Sequence, residues 1–433
     1  VKRIVLILLL VPLLGSQQPA WPYPLDGDVY TGITRLEGYR LSQEGKRRGP
    51  KQPPGGTLTL QEVDIRLAEK PIAELPEPDP DFTKKVVALL GSEADNYAVA
   101  ILDLSDPDHP RFAEHRGHVP FNPGSVGKIV VGLGLFQTLA DLYPDSIGDR
   151  ERILRETQVT ADRFILSDEH DVPLWNPETG RMTYRPLQQG DTASLWTYLD
   201  WMFSASSNAA ASTVIREIML MVHFGPNYPV PAEVADRFFR ETPRKELGDI
   251  LAKALQEPLI RNGLNLEELR QGKFFTWMGK RIVPGPSSTA SARELIRYLL
   301  LLEEGRLVDR FSSREIKRLL YMTQHRIRYA SHPALNNAAV YFKSGSLYSC
   351  RPEPGFACGK YKGNRINMMN SVAIIEAPAP GGGRLHYLAV VLSNVLRENS
   401  AVAHQTLAMR IHRLIEANWR QSGKAEETPQ KSP

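Results

Sequence analysis

Apolar residues fall along this chain in two spacings. Blocks rich in Val, Ile, Leu and Tyr at Tyr97 to Leu104, Ala338 to Lys343, Ser371 to Ala377 and Leu385 to Leu392 predict strands, because such runs suit a buried ribbon. Asp81 to Leu90, Leu195 to Phe203, Asn208 to Val222, Arg293 to Glu303, Arg314 to Met322 and Ala401 to Trp419 read as helices. In the last of these, Leu407, Ile411, Leu414 and Ile415 form one stripe that is expected to pack on the late strands. Ser125 to Leu142 differs in being apolar on nearly every face, which predicts a helix enclosed by the core. One strand ahead of the helices and three behind them make an α/β order.

The ends read differently. Lys2 and Arg3 precede an apolar run from Ile4 to Leu14, too short to cross a bilayer, so residues 1–20 are expected to be a signal peptide and the protein periplasmic or secreted. From residue 21 to 80 Pro and Gly punctuate a small extension with two strand-like pieces, Tyr30 to Leu41 and Gly56 to Leu67. It carries a basic patch at Lys46, Arg47, Arg48 and Lys51 and ends in a linker, Leu75 to Pro80. A catalytic body is then expected over 81–420, with a disordered polar tail at 421–433.

Composition narrows the function classes. Hydrophobic residues are 42% and charged residues 24% of the chain, ordinary globular usage that excludes a multi-span membrane protein. Lys and Arg number 53 against 49 Asp and Glu, a net charge of +4 with no basic stripe, so no nucleic-acid partner is expected. The membrane enters only through export, and a monomer is expected. Cys350 and Cys358 are the only two cysteines. In an oxidising compartment they are expected to bond to each other.

The stretch Asn122-Pro123-Gly124-Ser125-Val126-Gly127-Lys128 is where residue type and spacing ask for a reaction. Ser125 falls at the start of the enclosed helix, where unpaired N–H groups favour developing negative charge. Lys128 lies three residues on, over the same face. A desolvated amine loses its proton readily, so Lys128 can activate Ser125 as a nucleophile. Gly127, Gly132 and Gly134 each cost about 1 kcal/mol relative to alanine, tolerable where close packing demands them. A phosphate-binding loop would need Gly at Asn122 and Ser or Thr at Ile129, so a nucleotide site is excluded. Ser-x-x-Lys alone recurs by chance, and its weight comes from its companions. Ser206-Ser207-Asn208 lies at a small-residue junction between two helices, and Lys343-Ser344-Gly345 ends a strand.

These three motifs, in this order and setting, resemble the penicillin-recognising serine enzymes, class A β-lactamases and DD-peptidases. The resemblance runs from Asn96 to Trp419 and takes in the strand before Ser125 and the helix start Thr289-Ala290-Ser291-Ala292-Arg293. It implies an α/β (α+β) fold of the β-lactamase/transpeptidase type, an antiparallel sheet packed against helices with a helical lobe. It also implies site roles and no cofactor or metal. Ser125 would be the acylated nucleophile, Lys128 its proton partner and Ser206 a proton relay to the leaving nitrogen. Asn208 would hold the substrate amide, and Lys343 and Ser344 its carboxylate beside Gly345. The N–H groups of Ser125 and Ser346 would form the oxyanion hole. Arg351 and Arg365 are weaker candidates for the carboxylate.

Departures from the family pattern shape the expectation. Ser207 stands where class A enzymes carry Asp, closer to the DD-peptidase form. Glu-x-x-Leu-Asn, which positions the deacylating water in that class, is not visible between Val222 and Thr289, and Glu257, Glu267 and Glu268 lie there without its spacing. Residues 145–192 read as an addition. His115 with His118, and Asp168, Glu169, His170 and Asp171, make no convincing metal set and read as solvated loops. The expected protein is a secreted acyl-serine hydrolase acting on a β-lactam or related amide. A DD-peptidase-like enzyme acting on peptidoglycan-like peptides and a non-catalytic penicillin-binding or sensor domain are the alternatives.

Overall fold

The computed structural model describes residues 24–72, 74–321 and 326–422. The expected signal peptide and the tail beyond residue 422 lie outside them. The first long helix, α1 (Arg35–Gln43), occupies the first piece expected as a strand. Among its buried positions Leu36, Tyr39 and Ser42 fall three apart, and that helical spacing outweighs the β-branched and aromatic content. Helix α2 (Pro80–Ala88) starts where the Asp79 side chain accepts the Phe82 N–H and Pro80 takes the first turn. Strands β1 (Tyr97–Asp103) and β2 (Arg111–His115) follow.

A 3-10 turn, Gly124–Gly127, feeds helix α3 (Lys128–Leu142). By length and composition Gly124–Leu142 could cross a membrane, but it is mostly buried inside the protein. Gly127, Gly132 and Gly134 face Gln271, Phe203 and the Ala254 carbonyl too closely for a Cβ. Next come α4 (Ile147–Glu156), a hairpin of β3 (Asp171–Asn176) and β4 (Arg181–Pro186), α5 (Leu195–Phe203) and α6 (Asn208–Phe224). The lobe continues through α7 (Ala232–Glu241), α8 (Arg244–Leu255), α9 (Trp277–Ile282), α10 (Ala292–Glu303) and α11 (Arg310–Tyr321). The chain returns as β5 (Ala339–Ser349), β6 (Ile366–Pro378) and β7 (Arg384–Asn394), then closes with α12 (Ser400–Gln421).

The five long strands form one antiparallel sheet in the order β2-β1-β7-β6-β5, with β5 at an edge. On one face Leu407, Ile411 and Ile415 of α12 pack with Phe82 and Val86 of α2 against Val99, Ile101 and Ile375. The opposite face carries Ala100, Leu102, Ile374 and Leu388 into the core of the helical lobe, where α3 sits.

Gly56 to Leu67, the second piece expected as a strand, runs as an irregular strap. Val63, Ile65 and Leu67 are buried in alternation, yet their backbone joins no strand ladder. Side chains satisfy it instead: Arg66 N donates to Glu303, while Lys317 and Arg318 donate to the carbonyls of Asp64 and Val63. The 145–192 segment meets the extension through Trp175 Nε1 on Glu37 and the paired hydroxyls of Tyr39 and Tyr184. Cys350 and Cys358 are bonded to each other in the loop after β5.

The extension is locked to the lobe by a buried ion pair in which Arg35 clamps Asp200 through Nε and Nη2. Removing one partner strands a charge in the core, so Asp200→Ala should cost about 3–5 kcal/mol in urea unfolding. A loss under about 1 kcal/mol would show that the extension contributes little to the body's stability.

Candidate active site

Ser125 sits in the 3-10 turn, and Lys128 opens α3 one turn later, so the two side chains share a face. Lys128 Nζ lies 2.8 Å from Ser125 Oγ, 3.0 Å from the Ser206 carbonyl and 2.8 Å from Asn208 Oδ1. The last two groups only accept. An amine carrying two protons satisfies both and turns its lone pair toward the Ser125 hydroxyl. Lys128 is fully buried, with the Phe275 ring 4.4 Å from its nitrogen. Burial pushes its pKa down to about 7, helped by Arg328 and opposed by the charge of Asp168.

The junction between α5 and α6 brings Ser206 into the site with its backbone in the left-handed region, φ 60°. For serine this costs on the order of 1 kcal/mol, held by the surrounding structure. Ser206 Oγ accepts from Lys343 Nζ at 2.8 Å, and Lys343 also donates to the Ser344 carbonyl at 3.1 Å. Burial, then Lys128 and Arg328, lowers the Lys343 pKa well below its ordinary value. Asn208 begins α6, and Ser344 and Ser346 continue along β5.

Edge strand β5 presses on the turn that carries Ser125. A Cβ on Gly345 would stand 2.5 Å from the Pro123 carbonyl and 2.7 Å from the Ser125 nitrogen, so only glycine fits. This contact brings Ser125 and Ser346 into the lining of one cleft. That cleft, of about 340 Å³, is lined by Ser125, Asn208 and Ser346 on one side and by residues 271–280 on the other. Asn370 Nδ2 holds the Asn122 carbonyl at 2.8 Å and fixes the loop before Ser125.

Two participants escaped sequence reasoning. Arg328 stands just ahead of β5 with φ 53°, donating to Ser344 Oγ at 2.6 Å, Ser346 Oγ at 3.3 Å and the Tyr361 hydroxyl at 2.8 Å. Its guanidinium bonds the Ser344 and Ser346 hydroxyls, whereas Arg351 and Arg365, the candidates read from the sequence, are exposed on the disulfide-bearing hairpin. No motif marks Arg328, because its place depends on a loop.

Asp168 is the other. Expected as a solvated loop residue, its side chain is 2% exposed and accepts from Ser207 Oγ and the Ala209 N–H, both at 2.8 Å. It also meets His170 Nδ1 at 2.6 Å. Burial alone would raise its pKa, but His170, the Ala209 N–H and Ser207 hold it down to about 2. The inserted segment thus supplies a carboxylate beneath Ser206-Ser207-Asn208, where residue 207 itself has none. His115 bonds the Ala94 carbonyl and His118 pairs with Glu268, so neither belongs to the cleft.

The three glutamates singled out between Val222 and Thr289 also lie elsewhere. Glu257 lines a separate cleft with Asp141 and Arg261, Glu267 is exposed near Arg270, and Glu268 accepts from Ser291 Oγ at 2.7 Å. Phe275, with no carboxylate beside it in the cleft wall, covers Lys128.

Because Asp168 favours the charged form of Lys128, Asp168→Asn should move the Lys128 ionisation below pH 7. Nitrogen NMR of the lysine side chains reads this directly. An unchanged or raised pKa would show that Asp168 acts on the junction through packing alone.

The model of the β-lactamase enzyme family matches residues 81–401. No curated protein matches the chain in sequence. Among solved structures, a β-lactamase from Sphaerobacter thermophilus DSM 20745 superposes with a TM-score of 0.50 at 14% identity, over 77% of this chain and 97% of that one. The TLA-1 extended-spectrum β-lactamase gives 0.51 at 12% identity, over 78% and 100% of the two chains. TLA-3 gives 0.50 at 11% identity, over 78% and 98%. These identities carry the fold alone, an antiparallel sheet with helices packed against it. The match over most of the sequence carries the family: the chain belongs to the β-lactamase enzyme family.

Proposed function

We propose that this protein is an exported serine acyl-transfer enzyme in which Ser125 opens a carboxylate-bearing β-lactam or related amide and the resulting ester is hydrolysed slowly. The observation that carries this reading is the buried Lys128 amine 2.8 Å from Ser125 Oγ, in a cleft lined by no carboxylate. Neutral Lys128 takes the Ser125 proton as Oγ bonds to the carbonyl carbon. The N–H groups of Ser125 and Ser346 receive the oxyanion. As the C–N bond breaks, the leaving nitrogen takes the Ser206 proton, and Lys343, 2.8 Å away, returns one to Ser206. Ser344 and Arg328 hold the substrate carboxylate. The disulfide supports export, since such bonds persist in oxidising compartments.

Deacylation needs a base that holds water against the ester, and Phe275 covers the side of Lys128 where a carboxylate would serve. Each 1.36 kcal/mol lost there slows the step about tenfold. The same deficit favours a second reading, a DD-peptidase-like enzyme that passes its acyl group to an amine or to water.

Stopped-flow mixing with a chromogenic cephalosporin should give a burst near one equivalent followed by slow turnover, with an intact-mass adduct that Ser125→Ala abolishes. Fast linear hydrolysis would refute slow deacylation. Release of D-Ala from a D-Ala-D-Ala peptide would favour the peptidase, and no adduct with any acyl donor would leave a non-catalytic fold.

A further inference from the structure

The cleft wall opposite β5 is built from Gln271 to Lys280, and it carries two ammonium groups that the acylation chemistry does not use. Lys273 and Lys280 both line the cleft that holds Ser125. Neither makes an ion pair or side-chain hydrogen bond among the described residues. They are close enough to feel each other: burial first, and Lys273 second, lower the Lys280 pKa. Two like charges facing one cleft without a counter-ion are unfavourable in the empty protein, and an anion there relieves them.

Their position says which part of a substrate would meet them. The wall approaches the Ser125 turn from the side of Gly127 and Lys128, through Gln271 and Phe275. Arg328, ahead of β5, and Ser344, on β5, are bonded to each other, and neither belongs to that wall. A ligand with its C-terminal carboxylate on Arg328 and its carbonyl at Ser125 therefore extends its acyl portion toward the lysines. The remaining lining groups there, Ser287, Ser288 and Gln271, are neutral hydrogen-bonding partners, and no carboxylate opposes a second negative charge.

We infer that Lys273 and Lys280 form an anion subsite that selects acyl donors carrying a second carboxylate on the acyl side, so that the preferred substrates are dianions. The inference rests on the acylation reading for its orientation. Its chemistry is recognition of a carboxylate by two ammonium groups in a half-open cleft, screened by salt.

Benzylpenicillin and carbenicillin are a matched pair of probes, because the second is the first with a carboxylate added to the benzylic carbon. Second-order acylation of Ser125 should favour carbenicillin by about fivefold at low ionic strength, the scale of two partly exposed charge contacts. The preference should shrink as salt is added. In Lys273→Gln/Lys280→Gln the ratio between the two probes should fall to about one, while Lys245→Gln, on the exposed face of α8, leaves it in place. A ratio at or below one in the native protein, or a ratio indifferent to the double substitution, overturns the subsite. Ligand-observed NMR on Ser125→Ala, which cannot acylate, reads the same preference as binding. A binding preference for the dianion with no adduct on the native protein supports the subsite and refutes the acylation reading. An adduct without the preference refutes the subsite alone.

Discussion

A lysine amine sealed at the start of a buried helix is the interaction on which the rest of this site depends. Lys128 is enclosed by α3, by the Phe275 ring and by the junction of α5 and α6. Burying an ammonium there without a counter-ion would be costly, and the protein meets that cost by letting the group lose its proton near neutrality. Two fixed acceptors, the Ser206 carbonyl and Asn208 Oδ1, then decide which way the lone pair faces. In the proposed reaction the hydrophobic wrapping of α3 is part of the chemistry, since exposure of the amine would restore its ordinary pKa.

Around that amine the protein assembles a field that is positive on nearly every side. Lys343 on β5 and Arg328 ahead of it stand on one side, while Lys273 and Lys280 belong to the cleft wall from Gln271 to Lys280. One buried carboxylate, Asp168, tempers the field from beneath the Ser206 junction. A substrate carboxylate enters such a cleft readily. A carboxylate of the protein's own, which would serve a hydrolytic water, is what the cleft wall omits. In the proposed reaction, fast capture and slow release share this one arrangement of charge.

Much of this was legible in the sequence, and the legible part has a common character. Ser125 and Lys128 are one turn apart, so their meeting is a local consequence of helix geometry. Leu195 to Phe203 and the strand cores around Ser371 and Leu385 declared themselves through periodicity. Residues whose role depends on distant segments did not. Arg328 reaches the site because a turn ahead of β5 places it over Ser344 and Tyr361. Asp168 reaches it because a long inserted segment folds under α6, which made a buried helix-capping carboxylate resemble a solvated acid in sequence. Tyr30 to Leu41 misled for another reason: β-branched and aromatic content suggested a strand, while burial at intervals of three made a helix.

The central claim is that a neutral Lys128 activates Ser125, and the pH dependence of Ser125 acylation tests it most directly. The neutral fraction of an amine rises with pH, so the acylation rate constant should climb through about pH 7, where Lys128 is half deprotonated, and level off above it. Below that midpoint it should fall about tenfold for each pH unit. A rate constant flat from about pH 5 to 8, or one that falls as the pH rises through that range, would contradict the account and require a different base for Ser125.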